Sequence, residues 1–98
     1  MANFKLTLDA KDDLYRIWLY GLEHYGLGRT DEYLDALERH FQSLLQNPYQ
    51  YAAVDDIREG YRRSVCGEES IYYRIAGDTL EIIRILSRQN LTQIIETP

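Results

Sequence analysis

Few residue types in this chain could carry chemistry: one cysteine, two histidines, nine tyrosines and a group of arginines. Cys66 is the only cysteine, so the chain offers neither an internal disulfide nor a thiolate metal site, which need two or more. His24 and His40 belong to separate predicted helices and have no acidic or thiol partner at metal-ligand spacing. The sequence therefore predicts no metal site and no cofactor.

The arginines are the most suggestive group, because those of the second half lie on or beside predicted strands. A basic surface for a large partner is predicted at five of them: Arg58, Arg62, Arg63, Arg84 and Arg88. The alternative is that several pair with glutamates on neighbouring strands, an interaction that contributes little when exposed. Arg84 interrupts an apolar strand, so its charge needs a partner or a route to solvent.

The charge balance makes the chain a poor general nucleic-acid binder and leaves a local arginine patch possible. The net charge is −5, and the acid is concentrated in residues 1–57. Sequence-independent affinity for nucleic acids depends on Lys and Arg that neutralise phosphates. The acidic half serves either solubility or the steering of a basic partner.

Hydrophobic periodicity predicts the elements of the first half. Residues 3–8 alternate apolar and polar side chains, as a half-buried strand does. Asp9 can cap a helix that ends near Tyr25, with Asp12 and Asp13 complementing its dipole. Thr30 can cap a second amphipathic helix that ends at Asn47-Pro48.

Three further strands are predicted at 58–66, 70–76 and 79–86, separated by glycine-containing turns. The fold class is α+β with the order β-α-α-β-β-β, a helical hairpin packed on a mainly antiparallel sheet, with a short C-terminal tail and a single domain over 1–98. No leader or membrane span is apparent, so a cytoplasmic protein is expected. The last two strands are apolar on both faces, so either the tail at 91–95 or a partner is expected to cover the second face.

Several local motifs, in order along the chain, resemble the ParE toxins of the ParE/RelE family. The motifs are Leu8-Asp9-Ala10-Lys11-Asp12-Asp13-Leu14, Tyr25-Gly26, Leu45-Gln46-Asn47-Pro48, Ile57-Arg58-Glu59-Gly60-Tyr61-Arg62-Arg63, Tyr72-Tyr73-Arg74 and Ile83-Arg84-Ile85-Leu86. Two positions depart from the family, which often has Gly-Ser-His where this chain has Gly67-Glu68-Glu69-Ser70 and Leu-His where it has Leu86-Ser87. A histidine-dependent role at either place is not available here.

The resemblance implies the toxin of a type II toxin–antitoxin system, involved in plasmid stabilisation, that inhibits DNA gyrase by protein binding and is neutralised by a ParD-like antitoxin. No direct sequence-specific nucleic-acid binding is expected without the antitoxin. The five arginines above are the candidates for target binding. Antitoxin binding is expected at Trp18 and Leu22 on the helices and at Tyr72, Ile83 and Ile85 on the sheet.

Two alternatives stay open: a RelE-like ribosome-dependent mRNA endoribonuclease, and a degenerate toxin that only binds its antitoxin. Ribonucleases of this family use arginines, lysines and a tyrosine near the C-terminus to activate a ribose 2′-hydroxyl and stabilise a charged phosphorane. Here Lys5 and Lys11 are both near the N-terminus, and no tyrosine or histidine follows Tyr73. A non-catalytic inhibitor is therefore favoured over an enzyme.

Overall fold

The computed structural model describes residues 3–87, which form two helices packed on a four-stranded sheet. The predicted order of elements is confirmed. The bounds are β1 Asn3–Leu6, α1 Leu8–Tyr25, α2 Leu27–Gln46, β2 Arg62–Cys66, β3 Glu69–Ala76 and β4 Thr79–Ser87. No helix in this part of the chain combines the length and the apolar character that a bilayer crossing requires.

The sheet has the strand order β1-β4-β3-β2, so the first and last strands of the chain are neighbours. β1 runs parallel to β4, whereas the β3–β4 and β2–β3 pairs are antiparallel. β1 reaches only as far as Ile82, which pairs with Leu6. A bulge between Tyr72 and Tyr73 shifts the β3–β4 register at about the same level. The second half of β4 therefore has no strand partner on its β1 side within the described residues.

Helix α1 begins two residues earlier than the capping pattern predicts. The N-cap is Thr7, whose hydroxyl accepts a hydrogen bond from the amide of Ala10, and Asp9 lies inside the first turn. The backbone amide of Thr7 also donates to Ile82 O on β4 at 3.1 Å. Thr7 therefore joins the two elements: its amide hydrogen-bonds to β4, and its hydroxyl caps α1.

Helix α2 also begins before its predicted cap, at Leu27, so Gly28 and Thr30 are helical. Gly26 alone makes the turn, with φ at 85°, a region that glycine occupies without a steric penalty. Thr30 is buried, and a methyl group on Gly21 would come within 2.6 Å of its side chain. The two helices approach closely at this point because position 21 has no side chain.

The core lies between the helices and one face of the sheet. Helix α2 contributes Leu37, Phe41 and Leu44, and β4 contributes Leu80, Ile82 and Ile85, all at most 3% exposed. On β3, Ile71 and Tyr73 join this core.

Tyr72 points to the other face of the sheet and is also buried. The expected burial of both faces is thus observed at β3, and the tail at 91–95 that was expected to cover the second face lies outside the described residues.

Strand β2 is shorter than predicted and begins at Arg62 instead of residue 58. Residues 54–61 form turns instead, in which Gly60 has φ at 84° and its amide donates to Asp55 Oδ1 at 2.8 Å. The amide of Val54 donates to Tyr61 O, and Arg63 N donates to Ala52 O. This loop therefore covers the outer edge of β2 at its start.

Candidate functional site

An open groove of about 530 Å³ lies between the two helices. Strand β1 contributes Phe4 and Leu6 to its lining, and the two helices approach each other closely at Gly21 and Thr30. Most of the lining is apolar: Phe4, Leu6, Leu14, Tyr15, Trp18, Leu34, Leu37 and Phe41. Large aromatic and aliphatic side chains around a concavity are typical of protein-binding hot spots.

The aromatic rings of the groove are held in place by one another. Tyr15 and Trp18 stack with centroids 6.0 Å apart, and Phe4 meets Phe41 edge-on at 5.6 Å. Rings that are already ordered lose little conformational entropy when a partner binds. The groove is thus a preorganised surface with three charged residues at its rim, Lys11, Asp35 and Glu38.

The five residues predicted to meet an antitoxin do not form one surface. Trp18 lines the groove, and Leu22 is half-buried one turn further along α1. Ile85 is part of the core at 1% exposure, Tyr72 is equally buried on the sheet, and Ile83 is half-buried on β4. Only Trp18 therefore stands where a docked partner would contact it in the groove.

Arg84 has an internal partner, the buried carboxylate of Asp13 on α1. Its Nε donates to Asp13 Oδ2 at 2.8 Å and its Nη2 donates to Oδ1 at 3.0 Å. These hydrogen bonds raise the pKa of the Arg84 guanidinium. Arg16 donates to the same carboxylate from the solvent side. The charge that interrupts the apolar strand is thus neutralised inside the molecule.

Asp13 also closes the open side of β4. Its Oδ2 accepts the backbone amide of Ile85 at 2.9 Å, and the Thr7 hydroxyl donates to Ile83 O at 2.8 Å. Beyond the end of β1, side chains of α1 and its cap replace a neighbouring strand. Asp13 was expected in the first turn of α1, where its charge would complement the helix dipole, but the helix begins at Leu8 and Asp13 lies in its second turn. The available signal was its spacing from Ala10 and Ile17, which places it on the buried stripe.

The remaining predicted arginines lie around the start of β2. Arg62 stacks over the Tyr49 ring at 4.9 Å and donates to Tyr51 O at 2.7 Å. Arg63 is exposed, and its Nε and Nη2 both donate to Ser70 Oγ, at 3.2 and 3.1 Å. Arg58 is exposed in the preceding loop, whereas Arg88 lies outside the described residues. We call Arg58, Arg62 and Arg63 the β2 arginine surface: they share the sheet edge at the start of β2, although the side chains of Arg62 and Arg63 leave opposite faces of the strand.

Groups that could act as a general base near the sheet are engaged within the fold. The Tyr73 hydroxyl donates to Pro48 O at 2.7 Å, and burial raises its pKa. His40 Nε2 lies 2.9 Å from Ser64 Oγ, and burial lowers the pKa of this imidazole. Tyr73 lies opposite Arg62 in the β2–β3 register, but its hydroxyl is committed to Pro48.

A second polar cluster fixes the turn between β2 and β3. The Tyr33 hydroxyl accepts the amide of Glu68 at 3.2 Å and donates to Glu69 Oε1 at 3.4 Å. Burial raises the pKa of Tyr33 to about 12. Gly67 has φ at 60°, and a methyl group there would come within 2.9 Å of the Tyr33 ring. Helix α2 thus holds this turn through one side chain.

Glu69 is the member of this cluster whose burial destabilises the folded protein. It is 6% exposed, and its Oε2 has no hydrogen-bond partner among residues 3–87. Burial raises the pKa of its carboxyl, the Tyr33 hydrogen bond opposes this, and the charge of Glu68 adds to it. Ionised Glu69 is therefore less stable in the folded protein than in the unfolded chain.

We expect Glu69→Gln to stabilise the protein at pH 8 by at least about 1 kcal/mol, because it removes a buried charge. The folded carboxyl has the higher pKa, so its favourable contribution is complete below the unfolded pKa and is lost as pH rises through the folded pKa. Urea unfolding of both proteins between pH 4 and pH 8 measures the difference. The exposed neighbour gives the control, Glu68→Gln. A gain that is equal at pH 4 and pH 8 would refute the assignment.

Comparisons with known proteins give a consistent result. Residues 4–91 match the family model described as the ParE toxin of the type II toxin–antitoxin system parDE. Toxin ParE1 of Caulobacter vibrioides is 31% identical over 86 residues, which cover 88% of each chain. Toxin ParE1 of Mycobacterium tuberculosis is 28% identical over 89 residues, covering 90% of this chain and 91% of the relative.

One solved structure has the same fold, from the chromosomal ParDE TA system of P. aeruginosa. Its TM-score is 0.77 at 22% identity, and the alignment covers 89% of this chain and 96% of the other. At this identity the comparison bears on the fold alone. It supports the same arrangement of a helical hairpin on a mainly antiparallel sheet.

Proposed function

Because the chain belongs to the ParE toxin family of type II toxin–antitoxin systems, we propose that it inhibits DNA gyrase by binding to it and that a ParD-like antitoxin neutralises it. Gyrase inhibition would stall replication, and the pair would act in the cytoplasm. The inhibitor would work without a catalytic step of its own.

The observation that carries the proposal is a basic surface whose neighbouring Tyr73 and His40 side chains are already hydrogen-bonded inside the fold. Cleavage of RNA through the 2′-hydroxyl needs a group that removes a proton and a charge that stabilises the phosphorane. The β2 arginine surface offers the charge, yet the nearby Tyr73 and His40 are engaged inside the fold. Exposed guanidinium groups of this kind suit recognition of a protein or of gyrase-bound DNA.

The groove supports the second half of the proposal, because it offers the antitoxin a concave apolar site apart from the β2 arginine surface. Strand β1 contributes to the lining of the groove, whereas β2 forms the opposite edge of the sheet. An antitoxin segment that orders on binding could fill the groove as a helix. Binding in the groove would not itself cover the β2 arginine surface. The rest of the antitoxin would block that surface.

Gyrase supercoiling of relaxed plasmid tests the proposal. Purified toxin is expected to inhibit supercoiling, and Arg58→Ala combined with Arg63→Ala is expected to raise the inhibitory concentration by about tenfold or more. The matched control is Arg74→Ala, which removes an arginine that is exposed on β3 and paired with Glu81. Circular dichroism confirms that each variant is folded.

The proposal is contradicted if gyrase keeps its activity in the presence of the toxin and mRNA is cut in a translating extract. That result would mark a ribonuclease, and the two arginines would then be assigned to phosphate binding.

A further inference from the structure

The groove between the helices has a polarised charge pattern on its rim. Asp35 and Glu38 stand on α2, and Asp31, one turn before Asp35 on the same helix, extends their line. Among residues 3–87, Lys11 is the only basic residue in the lining of this groove. Residues three or four apart lie on the same face of a helix, so the three carboxylates form one stripe beside the apolar surface.

The antiparallel helices set the positions of these charges along the groove. At a rise of about 1.5 Å per residue, Asp35 lies about 14 Å and Glu38 about 18 Å from the turn at Gly26. Lys11 lies about 22 Å from the same turn, on the other helix. The acidic stripe thus runs from the closed end towards the middle of the groove, and the lysine stands at its open end.

None of these four charges forms an ion pair within residues 3–87, and the nearest basic residue along α2 is Arg39, one turn after Asp35. The ion pairs of that part of the chain join Lys5 and Arg74 to Glu81, and Arg16 and Arg84 to Asp13. Carboxylates three or four residues apart on one helix repel each other. A partner that places cations along α2 would relieve this repulsion while burying the apolar lining.

We propose that the groove selects an amphipathic helix whose apolar face is flanked by lysine or arginine on the side that meets Asp31, Asp35 and Glu38. The identity of the protein that supplies this helix, the antitoxin, rests on the proposed function. The charge selection itself rests only on the groove and its rim. A second copy of this chain is the wrong partner, because it would bring another acidic stripe to the first.

The acidic stripe discriminates between partners, since electrostatic complementarity affects specificity and association rate more than affinity. An apolar helix with acidic flanks would fill the same groove against like charges. Salt should therefore weaken binding of a basic helix and strengthen binding of an acidic one.

The single tryptophan of the chain provides the probe, because Trp18 lines the groove. Two synthetic peptides of about 18 residues, long enough for several helical turns, share one leucine stripe and contain no tryptophan. One carries lysine on its flanks and the other carries glutamate. Titration of each into the full-length toxin at low salt, followed by Trp18 emission, gives the two dissociation constants.

The lysine peptide is expected to bind about tenfold or more tightly than the glutamate peptide. Asp35→Asn with Glu38→Gln should remove most of this preference. Lys11→Glu should increase it. The matched control, Asp56→Asn with Glu59→Gln, makes the same change of charge in the loop before β2 and should leave the preference intact.

Equal binding of the two peptides would overturn the inference, because the groove would then show no charge preference. An equal loss of preference in the control variant would overturn it as well, because the preference would then reflect net charge alone. A Trp18 emission that neither peptide changes would overturn it too. These results are independent of the gyrase assay. A toxin that fails to inhibit gyrase can still show the charge preference, and a toxin without the preference can still inhibit gyrase.

Discussion

Replacing Asp13 with asparagine is expected to destabilise the protein by about 3 kcal/mol. The carboxylate of Asp13 is 2% exposed and accepts four hydrogen bonds: two from Arg84, one from Arg16 and one from the amide of Ile85. Asparagine keeps the shape and can still accept the amide. It cannot neutralise Arg84, whose side chain is only 28% exposed.

The effect should be large because this interaction joins α1 to the end of β4. Beyond Ile82 that strand has no β1 residue beside it, and its amide and carbonyl groups are satisfied by Asp13 and Thr7. An unsatisfied buried amide costs about 1–3 kcal/mol, and an unpaired buried charge costs more. Urea unfolding followed by circular dichroism measures the loss.

Asp12→Asn is the control, since Asp12 is an exposed neighbour on the same turn of α1. A surface change of this kind is expected to alter stability by no more than about 0.5 kcal/mol. Combining Asp13→Asn with Arg84→Gln should cost less than the sum of the two single changes, because each leaves the other side chain unpaired. Equal stability of the Asp12 and Asp13 variants would remove the basis for this assignment.

Trp18→Ala is expected to weaken the complex with the antitoxin by about 2–4 kcal/mol, or roughly 30- to 1,000-fold in dissociation constant. The indole is the largest side chain of the groove and is already ordered by stacking on Tyr15. Its removal takes away contact area and leaves a gap that the bound helix cannot fill. Isothermal titration calorimetry of the purified proteins gives the change in affinity.

The matched control for Trp18 is its neighbour, Leu19→Ala. Leu19 is 43% exposed on α1 and does not line the groove. Its loss should change the dissociation constant less than about threefold. Similar losses for the two variants would show that the antitoxin binds across the outer face of α1, and the groove would cease to be its site. Thermal unfolding of both variants separates lost binding from lost folding.

Much of the fold could be predicted because its elements follow local rules. The apolar stripe of α2, with Leu37, Phe41 and Leu44, has helical spacing, and each of these residues is buried. Element boundaries were predicted less well. Thr30 has the chemistry of a helix cap, but its hydroxyl donates to Gly26 O inside a helix that already began at Leu27. A single glycine with positive φ completed the turn, and sequence alone could not exclude a longer loop.

The candidate site could be predicted only in part. Trp18 was identified from its place on an apolar stripe, and it does line the groove. Ile85 has the same apolar character but belongs to the core, because β4 lies in the middle of the sheet beneath the helices. Apolar character indicates burial, and whether a protein's own core or a partner supplies that burial depends on which elements become neighbours.

Arg84 on β4 shows which features the sequence determined and which the tertiary structure decided. The sequence by itself required that a charge at Arg84 have a partner or a route to solvent, because burying an unpaired ion is too costly. It did not identify the partner, which lies 71 residues away in Asp13. That pairing exists because β1 joins β4 in parallel and ends at Leu6, opposite Ile82, so that α1 continues along the same strand. Local patterns thus determined the helices, the strands and the family, whereas the strand order and its register decided which charges are internal and which surfaces remain open to a partner.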